Sequence, residues 1–146
     1  MLDITDLGEL NYIIGIQVRH DRTAHTISLN QTTYIHQILM HFGMCAPVST
    51  PFAAKQNLSA SQSLQTEEEH IKYVKHADVL RYLEIVGTLL YATQTRPNIQ
   101  HTVGIVSQFG GNVGKPPLEF AKRILRHLKG TTQFKLKLGC NGGSGS

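Results

Sequence analysis

The sequence predicts an α+β fold in which a β-hairpin and a short helix precede a helical bundle of about three helices and a short terminal strand. Three observations lead to this prediction. Residues 11–19 and 26–31 alternate apolar and polar side chains, which is typical of half-buried strands. Residues 76–95 and 117–130 repeat apolar side chains at helical spacing. Alternation returns in residues 133–139, which indicates the last strand.

Size and composition indicate a globular protein. The 146 residues suffice for one domain or two small subdomains, and 40% of them are hydrophobic while 16% are charged. No apolar run approaches the roughly 18 residues that span a bilayer. The N-terminus is acidic and lacks the pattern of a signal peptide. We therefore expect an intracellular protein without membrane partners, in the cytoplasm or in the nucleus.

Cysteine and histidine usage gives no sign of a metal site. Cys45 and Cys140 lie 95 positions apart, which matches neither a disulfide framework nor a zinc motif. The eight histidines show no H-x-x-x-H spacing and no companion cluster of carboxylates. The sequence therefore predicts no bound metal.

The first elements are a hairpin and a helix. Tyr12, Ile14, Ile16 and Val18 alternate within one predicted strand, residues 20–25 form a polar loop, and residues 26–31 form the return strand. Gly15 inside the first strand indicates a bulge or the close approach of another group. Thr32 or Thr33 is the expected N-cap of the following helix, which Gly43 ends.

The helix predicted over residues 76–95 is apolar on two sides. One stripe comprises Leu80, Leu83, Gly87, Leu90 and Tyr91, and a second side comprises Ile85, Val86 and Leu89. A helix of this kind is expected to be covered on more than one face. Arg96 and Pro97 end it, and Asn98 is the expected cap of the next helix.

The last helix combines an apolar face with a basic one. Pro117 suits its first turn, Gly130 ends it, and the inward positions are Leu118, Ala121, Ile124, Leu125 and Leu128. Lys122, Arg123, Arg126 and Lys129 cluster on the other side. The chain has a formal net charge of +4, and residues 115–137 hold seven Lys or Arg and one acid. Such a surface fits a polyanionic partner, and it is equally compatible with an ordinary solvated face.

Seven motifs in a fixed order connect the chain to a known family. They are DLGEL-x-Y-x-x-GI-x-V at 6–18, ISLNQ-x-x-Y at 27–34, ILMHFGM at 38–44, V-x-TP at 48–51, RYLEIVGTLLYATQTRPNI at 81–99, SQF at 107–109 and AKRILRHLKGT at 121–131. Together they resemble the C-terminal part of the reverse transcriptase of copia-type LTR retrotransposons. The resemblance covers residues 6–138.

The resemblance implies a right-hand polymerase with palm, fingers and thumb, of which this chain would hold the last part. Residues 1–52 would be the end of the palm with its primer-grip hairpin and helix. Residues 53–75 would be a connector, residues 76–138 a thumb-like helical subdomain, and residues 139–146 a flexible tail.

The resemblance also implies a site for template–primer duplex, either RNA–DNA or DNA. Leu83, Gly87 and Tyr91 would face the minor groove. Gly15, Ile16 and Gln17 would lie near the primer 3′ end, and Lys122, Arg123, Arg126 and Lys129 would contact phosphates. The alternatives are that Gly87 lets another helix pack closely and that the hairpin is an ordinary ribbon. Two departures stand out: Asn98 replaces the family's usual Asp, and residues 118–120 lack its frequent His or His-Trp.

The catalytic parts of the family are missing from this sequence. Nucleotidyl transfer in the family requires magnesium ions held by aspartates, including a Tyr-x-Asp-Asp turn. None of the ten acidic residues forms that pattern, so no catalytic residue is predicted and the chain alone should be inactive. Magnesium would belong to the missing palm site. Two other hypotheses are a repurposed protein-interaction or self-associating module, and a subunit that completes a polymerase with the missing portion.

Overall fold

The computed structural model describes residues 3–43, 46–51, 76–110, 113 and 115–139. Within them the strands are β1 (Tyr12–Ile13), β2 (Ile16–Asp21), β3 (Thr26–Asn30) and β4 (Leu136–Gly139), and the helices are α1 (Thr32–Phe42), α2 (His76–Ala92), α3 (Pro97–Ser107) and α4 (Lys115–Gly130). The predicted α+β class, with a hairpin, a short helix, three further helices and a terminal strand, is confirmed. The predicted connector lies outside the described residues, as does the predicted tail after Gly139.

The four strands form one antiparallel sheet in the order β1-β2-β3-β4. The predicted hairpin is confirmed, since Gln17 pairs with Asn30 at one end of β2 and Asp21 pairs with Thr26 at the other. Strand β4 pairs with β3, so that Ser28 lies opposite Lys137. The C-terminal strand thus joins the N-terminal hairpin in one sheet.

The prediction of a continuous strand over residues 11–19 is wrong. Tyr12 and Ile13 form a strand of their own, and Ile13 pairs with Ile16 across a two-residue turn. Both turn residues have positive φ, 49° at Ile14 and 75° at Gly15. A two-residue hairpin turn of type I′ has this conformation at both central positions, and glycine adopts it without steric cost. Gly15 is therefore a turn residue rather than a bulge, and Ile14 leaves the face that alternation assigned to it.

Helix α1 ends as predicted and begins differently. Gly43 has the left-handed φ of 63°, and its N–H bonds the carbonyls near the helix end. The predicted Thr32 or Thr33 cap is wrong, because Gln31 occupies the N-cap position and its side chain makes no capping bond. The Asn30 Oδ1 atom instead accepts a bond from the Thr32 N–H at 3.4 Å.

The boundary between α2 and α3 also differs from the prediction. Helix α2 ends at Ala92, and a hydrogen-bonded turn carries the chain to Arg96. Pro97 is the first residue of α3, so Arg96 is the N-cap and the predicted capping role of Asn98 is wrong. Proline suits the first helical position because its fixed φ is already helical and its missing N–H is not needed there.

One hydrophobic core lies between the four helices. Helix α4 contributes the inward face that its spacing predicts: Ala121, Ile124, Leu125 and Leu128 are fully buried, and Leu118 packs against them partly exposed. Helix α1 contributes Ile35, Ile38, Leu39 and Phe42, and helix α2 contributes Tyr82, Ile85, Val86, Leu89 and Ala92. The core therefore joins α1 to the helices that follow the predicted connector.

Arg96 ties the helices to the chain before β4. Its side chain is 1% exposed, and its guanidinium donates to Thr131 Oγ1 at 3.3 Å and to the Thr132 carbonyl at 3.1 Å. The guanidinium also lies over the Phe134 ring, 5.5 Å from its centroid. Burial lowers the pKa of Arg96. Sequence pattern indicated only that Arg96 ends a helix, whereas the structure makes it a buried junction residue.

Candidate nucleic-acid interface

Helix α2 presents two apolar faces, and the described residues cover only one of them. Tyr82, Ile85 and Leu89 face the core and are fully buried. On the opposite side Leu80, Leu83 and Leu90 expose 54%, 45% and 47% of their surface, so the expectation that both faces are covered is wrong. We call Leu80, Leu83, Gly87, Leu90 and Tyr91 the outer stripe of α2. A contiguous exposed apolar surface of this kind marks a binding surface more often than scattered apolar residues do.

Gly87 lies in the middle of the outer stripe and is exposed. A Cβ atom added there meets no described atom within 4 Å. The alternative that Gly87 lets another helix pack closely is therefore wrong for the described part of the chain. Glycine in a helix interior costs about 1 kcal/mol relative to alanine. No packing contact among the described residues explains why glycine rather than alanine occupies this position.

Tyr91 lies where the outer stripe meets α1. Its ring contacts Tyr34 edge to face, with ring centroids 4.8 Å apart and planes at 82°. The Tyr34 hydroxyl donates to the Thr88 carbonyl at 3.3 Å, and burial raises the pKa of Tyr34. Gln31 Nε2 donates to the Tyr91 carbonyl at 3.3 Å. These contacts hold the half-buried tyrosine ring in one orientation at the end of the stripe.

The β1–β2 turn lies directly against Tyr91. A Cβ atom added to Gly15 would be 3.1 Å from the Tyr91 hydroxyl oxygen, which is tighter than an ordinary contact. The predicted close approach at Gly15 is thus confirmed, and the approaching group is Tyr91. Ile16 is half-buried, and the exposed Gln17 accepts a hydrogen bond from Asn30 Nδ2 at 3.2 Å. The structure therefore brings together two of the sequence-predicted clusters, the hairpin and the α2 stripe.

The basic face of α4 interacts with other parts of the protein. Lys122 Nζ forms an ion pair with Glu119 at 2.8 Å. Arg123 donates to Thr50 Oγ1 at 3.1 Å, and Arg126 Nε donates to the Ala46 carbonyl at 2.9 Å. All three cations are half-buried, as is Lys129. Phosphate contact by these four residues stays a prediction, and a phosphate would have to compete with the contacts that they already make.

Residues 46–51 run along this basic face. The Val48 N–H donates to the Arg126 carbonyl at 3.2 Å. Beneath this segment His127 is 5% exposed, and its Nε2 atom lies 3.4 Å from Asn98 Nδ2. Burial is the main cause that lowers the pKa of His127 below 6.5, so the imidazole is neutral at pH 7. Segment 46–51 therefore lies beside a buried, neutral histidine and is hydrogen-bonded to two arginines.

Sequence reasoning missed a third group of side chains, on the sheet. Arg19, Asp21, Lys135 and Lys137 surround a cavity of about 400 Å³ together with Thr26 and Ser28. No sequence pattern indicated this group, because Arg19 and Lys137 are far apart in the sequence. Only the pairing of β3 with β4 brings them together.

The described residues contain no cluster suited to a metal ion. No three His, Cys, Asp or Glu side chains lie close enough together to hold one in that part of the chain. Among the same residues, no helix combines the length and the apolar character that crossing a membrane requires.

The chain is similar to several proteins of transposons. It is 41% identical over 145 residues to the retrovirus-related Pol polyprotein from transposon TNT 1-94 of Nicotiana tabacum, a match that covers 97% of this chain and 10% of the polyprotein. The corresponding polyprotein from transposon RE1 of Arabidopsis thaliana is 35% identical over 130 residues, covering 88% of this chain and 8% of the polyprotein. An uncharacterized mitochondrial protein of Arabidopsis thaliana is 38% identical over 128 residues, covering 86% of this chain and 48% of that protein.

The chain thus spans less than half the length of each of these three relatives. No protein-family model matches the chain, and no solved structure matches it significantly. The similarity to transposon proteins that the seven sequence motifs imply is confirmed at the level of the Pol polyprotein. The homologues of this chain include retrovirus-related Pol polyproteins of transposons, which match it over most of its length.

Proposed function

We propose that this chain binds template–primer duplex, RNA–DNA or DNA, as the non-catalytic C-terminal portion of a retrotransposon reverse transcriptase. In this proposal the hairpin is a primer grip and helices α2 to α4 form the thumb. One observation carries the proposal: the exposed outer stripe of α2 meets the β1–β2 turn through the contact of Tyr91 with Gly15. The similarity to transposon Pol polyproteins supports the same origin.

The outer stripe has the form that a groove-facing helix needs. From Leu80 to Leu90 it extends about 15 Å along the helix axis. The minor groove of an A-form duplex is wide and shallow and displays sugar hydroxyls, so a helix can lie against it. Bare backbone at Gly87 would let the helix approach the sugar edges, while the leucines and Tyr91 would pack on the riboses.

The proposed binding is independent of base sequence. The outer stripe offers apolar contact rather than a pattern of donors and acceptors, and the minor groove itself distinguishes base pairs poorly. A polymerase must hold every template, so contact with sugars and phosphates suits that task. Chemistry would belong to palm residues that this chain lacks, with magnesium bound there.

Fluorescence anisotropy with labelled RNA–DNA hybrids of unrelated sequence tests the proposal. We expect binding at about 50 mM salt that weakens steeply towards about 200 mM, because phosphate contacts release counterions. Hybrids of different sequence should bind equally well. Absence of binding at the lower salt concentration overturns the proposal.

A pair of glycine variants locates the binding surface. Gly87 and Gly104 both lie inside helices, and an added Cβ atom meets nothing within 4 Å at either position. Alanine should therefore raise stability by about 1 kcal/mol in both variants. Only Gly87→Ala should weaken duplex binding, by about tenfold or 1.4 kcal/mol, because its methyl group holds the helix away from the sugars. Equal affinity of the two variants contradicts the assignment of the outer stripe.

A second candidate function is self-association or protein binding through the sheet. Ile27 and Leu138 are cross-strand partners, and they expose 38% and 49% of their surface. Paired apolar residues of this kind can cover each other in a dimer. Light scattering distinguishes duplex binding from self-association, since a stable dimer that does not bind nucleic acid supports self-association.

A further inference from the structure

Strand register creates a row of polar side chains on one face of the sheet. Arg19 pairs with Ser28, and Ser28 pairs with Lys137, so the three side chains lie on the same face of three neighbouring strands. Side chains alternate along a strand, and Asp21 therefore lies on this face two positions beyond Arg19. Lys135 lines the same cavity immediately before β4. We call Arg19, Lys135 and Lys137 the sheet cations.

The sheet cations are exposed and available. No described carboxylate lies within ion-pair distance of any of them, in contrast to Lys122 of α4, which pairs with Glu119. Of the acids that the structure describes, only Asp21 lines the cavity. Its pKa is lowered mainly by the Ala24 backbone N–H, with smaller contributions from the charges of Lys137 and Arg19. Three cations and one carboxylate leave this face with a net charge of +2.

The arrangement suits a chain of phosphates better than a single small anion. Arg19 and Lys137 lie two strands apart, which is about 9.6 Å at the usual spacing of strands, and Lys135 and Lys137 lie about 6.6 Å apart along the chain, so the sheet cations spread over this face. Thr26 and Ser28 line the same cavity, and the half-buried Ser28 carries a hydroxyl of the kind that donates to phosphate oxygens. Lysine and arginine side chains in such a row neutralise successive phosphates and release their counterions.

The sheet cations lie close to the candidate interface on α2, because strand β2 connects the two. Strand β2 begins immediately after Gly15, which contacts Tyr91, and Arg19 follows Gly15 at a distance of about 13 Å along the strand. We propose that the polar face of the sheet is a second binding surface for the sugar-phosphate backbone of nucleic acid, with Arg19, Lys135 and Lys137 as the phosphate-contacting residues. The proposal rests on the duplex-binding function proposed above and adds a site to it.

Two arginines of the same hairpin give a matched test. Arg19 lies in the row, whereas Arg22 lies in the β2–β3 turn, where it bonds Glu9 at 3.3 Å. Arg19→Gln and Arg22→Gln remove the same charge from neighbouring positions. In anisotropy titrations against salt, Arg19→Gln should reduce the slope of log K against log salt concentration by about 0.9, and Arg19→Gln with Lys137→Gln by about 1.8. Arg22→Gln should leave the slope unchanged.

Asp21→Asn provides a further test, in which duplex binding is expected to become tighter rather than weaker. Asparagine keeps an Oδ1 acceptor for the Ala24 N–H, which Asp21 binds at 3.0 Å, so the turn is preserved. Removing the negative charge should tighten duplex binding by about threefold, the effect of one charge at about 7 Å in water. Far-ultraviolet circular dichroism spectra should match the wild-type spectrum for all of these exposed variants, which shows that the fold is intact.

The possible outcomes distinguish this inference from the proposed function. Wild-type binding with equal salt slopes for Arg19→Gln and Arg22→Gln overturns the second surface and leaves the α2 surface standing. Loss of affinity in Gly87→Ala together with a lower slope in Arg19→Gln supports both. No binding by the wild-type protein at about 50 mM salt overturns both proposals at once.

Discussion

The molecule has two basic surfaces that differ in availability. The α4 cations lie close together in the sequence, yet Glu119, Thr50 and the Ala46 carbonyl already bind three of them. The sheet cations are distant in sequence and have no ion-pair partner among the described carboxylates. A run of basic residues in a sequence therefore shows how many cations lie near one another, but it does not show which of them are available to a ligand. The contrast suggests a structural role for the α4 surface and a binding role for the sheet surface.

The largest effect on the sheet surface is expected from a substitution that disturbs β4, the strand that carries Lys137. Gly139 has φ of 141°, and an added Cβ atom would collide with the His25 carbonyl and lie 2.9 Å from the Thr26 Cα. Gly139→Val should lower the free energy of unfolding by about 1–3 kcal/mol. Denaturant unfolding measures this loss, and salt titration should show a reduced slope as Lys137 leaves the row.

Gly104→Ala is the control for this variant, since its Cβ atom meets nothing within 4 Å. It should not lose stability. A Gly139→Val protein as stable as the wild type would show that the β3–β4 pairing tolerates the added side chain, contrary to this structure.

Substituting one arginine from each surface sharpens the comparison. Arg126→Gln removes the bond to the Ala46 carbonyl and should lower the unfolding free energy by about 1 kcal/mol, the usual net value of a hydrogen bond. Arg19→Gln should leave stability unchanged and lower the salt slope of duplex binding by about 0.9. Thermal melting and anisotropy on the two proteins measure both quantities. The reverse result, with Arg126 controlling the slope and Arg19 the stability, would exchange the roles of the two surfaces.

The pH dependence of stability tests the segment beside α4. Burial lowers the pKa of His127 in the folded protein, so the unfolded protein binds a proton there more readily than the folded one. His127 therefore costs no stability above 6.5, its unfolded pKa, and stability falls as the pH drops below that value. Thermal melting across this pH range should show the decline in the wild-type protein.

His127→Gln should flatten that decline, because glutamine does not titrate. The exposed His101 is the matched control, and His101→Gln should keep the wild-type dependence. An unchanged pH profile in His127→Gln would assign the decline to another group.

The smallest effect is expected for the ion pair on α4. Glu119→Gln frees Lys122 from a partner at 2.8 Å, and exposed pairs of this kind contribute about 0–1 kcal/mol. Stability should change little in melting experiments. If Lys122 contacts phosphate once released, the salt slope of duplex binding increases by up to about 0.9. An unchanged slope would support a purely structural role for the α4 surface.

Features that depend on a few neighbouring residues were predictable. The inward face of α4 follows from apolar spacing, and the end of α1 follows from Gly43, since both depend on local geometry. The β1–β2 turn was missed because Ile14 satisfies strand alternation as well as a turn. The N-cap positions of Gln31 and Arg96 were missed because neither side chain carries the usual capping signal.

The α2 part of the candidate site was predictable from the sequence because it too depends on local geometry. Leu83, Gly87 and Tyr91 recur at helical spacing, so a shared face follows from the helix itself. The neighbour of Gly15 could not be identified in this way, because Tyr91 is distant in the sequence. The engagement of Arg123 and Arg126 by residues 46–51 was hidden too, since no local pattern encodes contacts between distant segments.

The amino-acid sequence alone determined the fold class, the apolar faces of the helices and the kinship with transposon polyproteins, because these depend on periodicity and on ordered motifs. Tertiary structure decided which cations are exposed, what lies beside Gly15 and how β4 completes the sheet. The physical reason is that burial, strand register and charge pairing are properties of segments brought together in space. A sequence pattern describes each segment separately, and the properties of the two basic surfaces arise only from their contacts.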